Sequence, residues 1–182
     1  HRYIRRQRQM CIRDSAKNRK SRLVALKISN SLSRSQIDDY TKFVGNYGAK
    51  GLAYIKVNDE NDLKEGLQSP ILKFLSEKEI ASLSEKLNFS AGDTVFFGAG
   101  HKKIVNESMG ALREKLGEDL HLIDKDKWAP LWIKDFPVFD EAEDGSLTPS
   151  HHPFTRTSGD IETLEKDPAM AIADAYDLVL NG

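Results

Sequence analysis

The residues best suited to chemistry are His151 and His152, which stand directly before Pro153. An imidazole can donate or accept a hydrogen bond, and its charge changes near physiological pH. Pro153 restricts His152 to extended conformations, and consecutive side chains of an extended segment point to opposite sides. We therefore expect only one of the two histidines to face a binding site directly. From spacing alone, a pair of loop histidines at the base of a hairpin explains the pattern better.

Asp177 is the second candidate, because it is the single acid in the apolar stretch Ala175–Leu180. Such a residue is either an outward-facing strand residue or a carboxylate in a cleft. Mg²⁺ bound with ATP takes one or two carboxylates together with phosphate oxygens. A zinc site is a poor interpretation of the histidines, since no further His or Cys stands at ligand spacing. The residues alone leave both interpretations of Asp177 open.

A third feature is Gly98-Ala99-Gly100, which is followed by Lys102 and Lys103. The glycines stand between a predicted strand and a predicted helix, as in a phosphate loop. They match neither the G-x-x-x-x-G-K-[ST] nor the G-x-G-x-x-G pattern, so we predict a tight turn. The two lysines are unfavourable at a helix start. We favour a solvated helix end over a contact with an RNA backbone.

A pair of strands must position the histidines. Leu131–Phe139 alternates like a strand, and Pro137 within it predicts a bend or an unpaired edge. Glu141–Ser146 is acidic and ends in Asp-Gly-Ser, which is typical of a hairpin loop. The chain then returns to His151. We predict that four nearby aromatic residues form a core between the strands and the neighbouring domain: Trp128, Trp132, Phe136 and Phe139.

The preceding hundred or so residues show the pattern of a small α+β unit. Ser33 with Gln36, and Ser76 with Glu79, form capping boxes that start two helices. The clearest helix is Lys102–Leu116, with Gly117 as its predicted stop. The predicted order is strand, helix, strand, helix, helix, strand, helix.

Composition limits the class of protein. The chain has 182 residues, of which 39% are hydrophobic and 30% charged, as in a soluble globular protein. It has no apolar run of about 18 residues, so we expect no transmembrane span, and no signal peptide is visible. Cys11 is the single cysteine, which excludes a disulfide within the chain. We expect a cytoplasmic setting.

The first residues differ from the rest. Residues 1–22 hold nine of the 27 Lys and Arg residues but only one acid, Asp14. Such an arm is typical of nucleic-acid contact. However, Met10–Ser15 looks like one reading frame of a sequencing-library adaptor. Our hypothesis is that residues 1–15 are not native and that the biological chain begins near Ala16. A basic RNA-binding arm is the alternative.

Several long motifs resemble the catalytic core of bacterial aspartyl-tRNA synthetase, a class II enzyme. They are Trp128-Ala129-Pro130-Leu131-Trp132, Asp135-Phe136-Pro137, Phe139, His151-His152-Pro153-Phe154-Thr155 and Ala175–Gly182. Upstream, Tyr47–Lys56 resembles the insertion domain of the same family, the GAD domain. The resemblance divides the chain into a GAD domain at 16–124, truncated at its start, and part of a catalytic domain at 125–182. The implied fold class is α+β: a GAD α/β sandwich followed by part of an antiparallel synthetase sheet.

The resemblance implies that the intact protein is an aspartate–tRNA ligase. It would activate L-aspartate with ATP and Mg²⁺, form aspartyl-adenylate and charge tRNA(Asp), as a homodimer without membrane or DNA partners. His151 would contact aspartate, and His152 would support the loop or the adenylate. Asp177 would lie near Mg²⁺, with a partner acid beyond Gly182. The family's arginine motifs are not found in this sequence, so we expect an internal fragment without activity of its own.

Two other interpretations stay open. The GAD domain also occurs in a subunit of tRNA-dependent amidotransferases, and residues 20–120 alone fit such a non-catalytic interaction module. An α+β protein with an unknown ligand is the third. It does not explain why both sets of motifs occur in the expected order.

Overall fold

The computed structural model describes residues 21–142 and 144–181. The segment 1–15, predicted to be non-native, lies outside this range. Ten strands are described: β1 Ser21–Ile28, β2 Ala53–Val57, β3 Leu67–Gln68, β4 Thr94–His101, β5 Pro130–Ile133, β6 Phe139–Glu141, β7 Leu147–Pro149, β8 Thr157–Ser158, β9 Ile172–Ala173 and β10 Asp177–Leu180. The α-helices are α1 Arg34–Gly45, α2 Glu77–Leu87, α3 Lys102–Asp119 and α4 Ile161–Lys166. Short 3₁₀ helices span Leu72–Phe74 and Pro168–Met170.

The chain divides into two compact units, one ending at Ile123 and the other beginning at Asp124. The first unit is built on a four-stranded sheet with the order β1-β4-β2-β3, in which every pair is antiparallel. β4 lies in the middle and pairs with β1 from Ser21↔His101 to Ile28↔Thr94. None of the described helices is long and apolar enough to cross a membrane.

Alternation along β4 creates two cores on opposite faces of this sheet. Phe96 packs with buried residues of α1 and α3, including Tyr40 and Leu112. Val95 and Phe97 belong to the second core, which the half-buried apolar side of α2 covers. The first unit is therefore a mixed α/β domain with an antiparallel sheet between helices.

The predicted capping boxes are confirmed, since Ser33 and Ser76 each accept from the backbone N–H three residues later. The predicted end of the last long helix is wrong, because α3 continues through Gly117 to Asp119. Tertiary contacts explain the extra turn. Leu120 packs against the first core, and the Tyr40 hydroxyl donates to Asp119 Oδ2 at 3.1 Å. Packing outweighs the helix-breaking tendency of one glycine, which is about 1 kcal/mol.

The predicted turn at Gly98–Gly100 is also wrong. These residues continue β4, where Gly98 pairs with Val24 and Gly100 pairs with Arg22. A Cβ built on Gly98 would lie 2.5 Å from Met109 Cγ of α3. The glycine is therefore needed for close packing between strand and helix, which a local turn pattern does not reveal.

The second unit contains three two-stranded antiparallel sheets, β10-β5, β6-β7 and β8-β9. The hairpin predicted around Glu141–Ser146 is confirmed by the pairing of β6 with β7. Leu131–Phe139 is not one strand, because the chain leaves β5 after Ile133 and Asp135 has a positive φ of 60°. The short strands leave few positions that are covered on both sides.

The predicted aromatic core of this unit is wrong for both tryptophans. Trp128 is 78% exposed and Trp132 is 60% exposed. Trp132 contacts Tyr176 edge to face, with ring centroids 5.4 Å apart. Phe136 and Phe139 are only half-buried. A two-stranded sheet without a further layer cannot cover both of its faces.

Candidate functional site

His151 lies just after β7, where the hairpin returns. Ser150 donates its N–H to the carbonyl of Val138 at 2.9 Å, which fixes the start of the segment beside the 136–138 stretch. The His151 ring packs edge to face on Phe136, with centroids 5.4 Å apart. Its Nε2 is buried and has no hydrogen-bond partner within the described residues. A buried nitrogen without a partner is rare, because an ordered water or a ligand group usually satisfies such an atom.

His152 lies in a different environment from His151. It is exposed, and its ring lies 5.0 Å from that of Phe154. Its Nδ1 accepts weakly from the Phe154 N–H at 3.4 Å, and its carbonyl accepts from the Thr155 N–H at 2.8 Å. These bonds form a turn with Pro153 and Phe154 at its centre.

Asp177 begins β10 and pairs with Ile133 of β5. Its side chain is exposed, and no hydrogen bond or ion pair engages its carboxylate within the described part of the chain. Within residues 144–181, no hydrogen bond, ion pair or ring contact joins Asp177 to His151 or His152. The structure thus places Asp177 on the β10-β5 sheet and the two histidines in the loop after β7.

The metal-binding capacity of the described residues depends on their His, Cys, Asp and Glu side chains. Among residues 21–142 and 144–181, no group of three or more His, Cys, Asp and Glu side chains could hold a metal ion. Asp177 supplies one free carboxylate. Mg²⁺ needs only one or two protein carboxylates when phosphate oxygens complete its shell. Asp177 fits the role of one such ligand and no more.

A cavity of about 160 Å³ in the first unit is a feature that sequence reasoning missed. It lies between the loop from Gly48 to Leu52, the end of β4 and the first two turns of α3. Lys50 and His101 are the charged or titratable residues in its lining. The glycines of Gly98–Gly100, which line this cavity, are the feature of the sequence that points to it. The sequence predicts a turn there because these residues match neither phosphate-binding motif.

The family model of the GAD domain matches residues 12–109. This range covers more than half of the chain, and it contains the four-stranded sheet with α1, α2 and the first turns of α3. The chain therefore belongs to the GAD domain family. This domain occurs in aspartyl-tRNA synthetases and in related amidotransferase subunits. The matched range begins inside the segment 1–15 that sequence analysis regarded as non-native.

Proposed function

We propose that this chain is part of an aspartate–tRNA ligase. The GAD domain at residues 12–109 limits the choice to aspartyl-tRNA synthetases and related amidotransferase subunits, and the motifs that follow it carry the choice of the synthetase. The synthetase-like motifs support it, because they follow the domain in the same chain and in the order expected. In this reaction the α-carboxylate of aspartate attacks the α-phosphorus of ATP, and pyrophosphate leaves. The 3′ hydroxyl of tRNA(Asp) then takes the aspartyl group, and AMP leaves.

In the proposed enzyme His151 binds aspartate. Its unused Nε2 supports this role, because a nitrogen that is buried and unpaired in the free protein gains a hydrogen bond when a carboxylate arrives. The ring of Phe136 packs edge to face against the ring of His151 and so restricts its orientation. His152 keeps the loop after Pro153 in shape. These residues orient the substrate, and catalysis follows from positioning and charge stabilisation.

Asp177 is proposed to lie on the metal side of the nucleotide site. Its exposed carboxylate is free to bind a cation that arrives with ATP, and Mg²⁺ would neutralise the phosphate charge when bound. The reaction also requires cationic side chains on the triphosphate. These, a second acid and the partner of a homodimer belong to the proposed intact enzyme, which we expect to be cytoplasmic.

The alternative is a non-catalytic module of a tRNA-dependent amidotransferase. The GAD domain favours it as much as the synthetase, because the domain occurs in both classes. The motifs in residues 128–155 and 175–181 favour the synthetase.

The test uses the product of the complete reading frame that encodes this chain. We expect aspartate-dependent exchange of pyrophosphate into ATP, and none from residues 1–182 alone. His151→Asn should raise the KM for aspartate at least about 10-fold, as expected for one charge-assisted hydrogen bond lost. His121→Asn is the matched control, because His121 is an exposed histidine of the first unit. Pyrophosphate exchange that does not depend on aspartate, or an equal change in the KM for aspartate in both variants, would contradict the proposal.

A further inference from the structure

The cavity beside α3 has an apolar interior of small and large residues. Its buried wall consists of the apolar residues Val44, Leu52, Val105 and Met109 and of Ser108, whose hydroxyl donates to the carbonyl of Ile104. Four glycines also line it, at positions 48, 51, 98 and 100. Met109 fills the space beside Gly98, whereas a Cβ on Gly48 or Gly100 would meet nothing closer than 3.8 Å, so a ligand group can approach the backbone at those two positions. A volume of about 160 Å³ provides room for one planar ring system rather than for an extended chain.

The rim of the same cavity is cationic. Lys50 lines it, and Lys102 and Lys103 follow His101 at the start of α3. All three lysines are exposed, and none forms an ion pair within the part of the chain that the structure describes. The guanidinium of Arg22, opposite Gly100 on β1, donates instead to Asn106 Oδ1 at 2.6 Å. No Asp or Glu is among the described residues that line the cavity.

Unpaired cations around an apolar slot are complementary to a nucleotide. Phosphates of a strand can bind to the lysines, while an unstacked base enters the slot. An acidic peptide would satisfy the lysines, but its side chains are not planar apolar rings. The volume of the cavity and its largely apolar lining therefore favour the nucleotide.

We infer that this cavity binds one unpaired nucleotide of an RNA strand, with Lys50 and Lys102 on its phosphates. The choice of RNA rests on the proposed function. The surface belongs to the GAD domain and is formed by residues of the first unit alone. It would thus hold RNA without taking part in adenylate formation.

The experiment measures binding of a labelled single-stranded RNA of about ten nucleotides by fluorescence anisotropy at several salt concentrations. The protein is the whole 182-residue chain. Lys50→Gln/Lys102→Gln should weaken binding at least about 10-fold. It should also lower the slope of log K against log salt by roughly 1.4, at about 0.7 per phosphate contact. Lys78→Gln/Lys86→Gln is the control, because it removes the same charge from exposed positions of α2.

A second variant measures the contribution of the cavity to binding separately from that of the lysines. Ala49→Leu fills the cavity and keeps every lysine, so it should weaken binding without changing the salt slope. Ile104→Phe fills the cavity from α3 and replaces Ala49→Leu if that variant unfolds. Cross-links from 4-thiouridine RNA should map to residues 48–52 or 101–108.

Several outcomes would overturn the inference: no binding of RNA, equal losses in the lysine variant and its control, or cross-links confined to residues 1–22. Displacement of RNA by polyglutamate at equal charge would show an acidic-peptide surface instead. Because this assay requires neither aspartate nor ATP, its failure is distinguishable from failure of the proposed function.

Discussion

Tyr40 shows how a single residue links two helices of the first unit. It is 6% exposed, and its hydroxyl donates to Asp119 at the end of α3. Lys115 also donates to Asp119, at 2.7 Å. Burial and the neighbouring carboxylate raise the pKa of Tyr40 to about 12. The hydrogen bond from Lys115 is the main reason why the pKa of Asp119 is lowered.

This arrangement predicts a loss of stability at alkaline pH. The folded pKa of Tyr40 lies above the unfolded value of 10.0, so its contribution is complete below pH 10 and is lost as pH rises towards 12. Tyr40→Phe should cost about 1 kcal/mol at pH 7 for the lost hydrogen bond. It should also reduce the alkaline fall in the free energy of unfolding. Urea denaturation of both proteins between pH 7 and 11 measures the difference.

Both proteins contain the same lysines, so the contribution of the lysines to the alkaline fall in the free energy of unfolding cancels in the comparison. Tyr47→Phe is the control, because Tyr47 is exposed and lies outside α1. An equally steep alkaline fall in wild type and Tyr40→Phe would refute the role of this phenol.

At the scale of the elements, the contact between β4 and α3 depends on a missing side chain. Gly98 faces Met109, and a Cβ there would lie 2.5 Å from Met109 Cγ and 2.7 Å from its sulfur. Gly110 lies one residue further along α3, and a Cβ there would meet nothing within 4 Å. The two glycines therefore have opposite consequences for the helix that also borders the cavity.

Gly98→Ala should destabilise the protein by about 1–3 kcal/mol, because Met109 or the whole helix must move. Gly110→Ala should stabilise it by about 0.5–1 kcal/mol, since alanine favours the helix more than glycine does. Urea midpoints at neutral pH give both values.

A double-mutant cycle with Met109→Ala identifies the cause. Gly98→Ala should cost less in that background, because the clashing atoms are gone. A cost that is the same in both backgrounds would contradict the packing explanation.

On the scale of the whole molecule, the two units differ in how much they bury. The first has two cores that contain most of the buried hydrophobic residues described. In the second, the buried hydrophobic residues are Ala171 and Ala173 within the range 124–142 and 144–181. Small cores of this kind contribute little apolar burial, so the second unit should open more easily.

Amide hydrogen exchange should reveal this difference directly. Amides of β4 and α3 should exchange at least about 100-fold more slowly than those of β5 and β10, because opening of the second unit costs less free energy. Mass spectrometry of peptic peptides from the whole chain measures both at once. Exchange in the β6-β7 hairpin gives a second value for the second unit, to be compared with that of β5 and β10. Equal protection in β4 and β5 would show that the second unit is as stable as the first.

The sequence by itself determined the local elements of the first unit. Capping boxes at Ser33 and Ser76 and the apolar faces of α1 and α3 depend on neighbours three or four residues apart. The hairpin before His151 followed from its turn residues. The identities of His151, His152 and Asp177 as candidates also came from the sequence, through long motifs and not through spacing.

The tertiary structure alone decided what depends on distant residues. Gly117 stays helical because Leu120 and Asp119 have partners far along the chain. Trp128 and Trp132 are exposed because no further layer covers their small sheet within the described residues. The cavity beside α3 arises where a loop, a strand and a helix meet. Hydrophobicity and propensity are local properties, whereas burial depends on which elements come together in space.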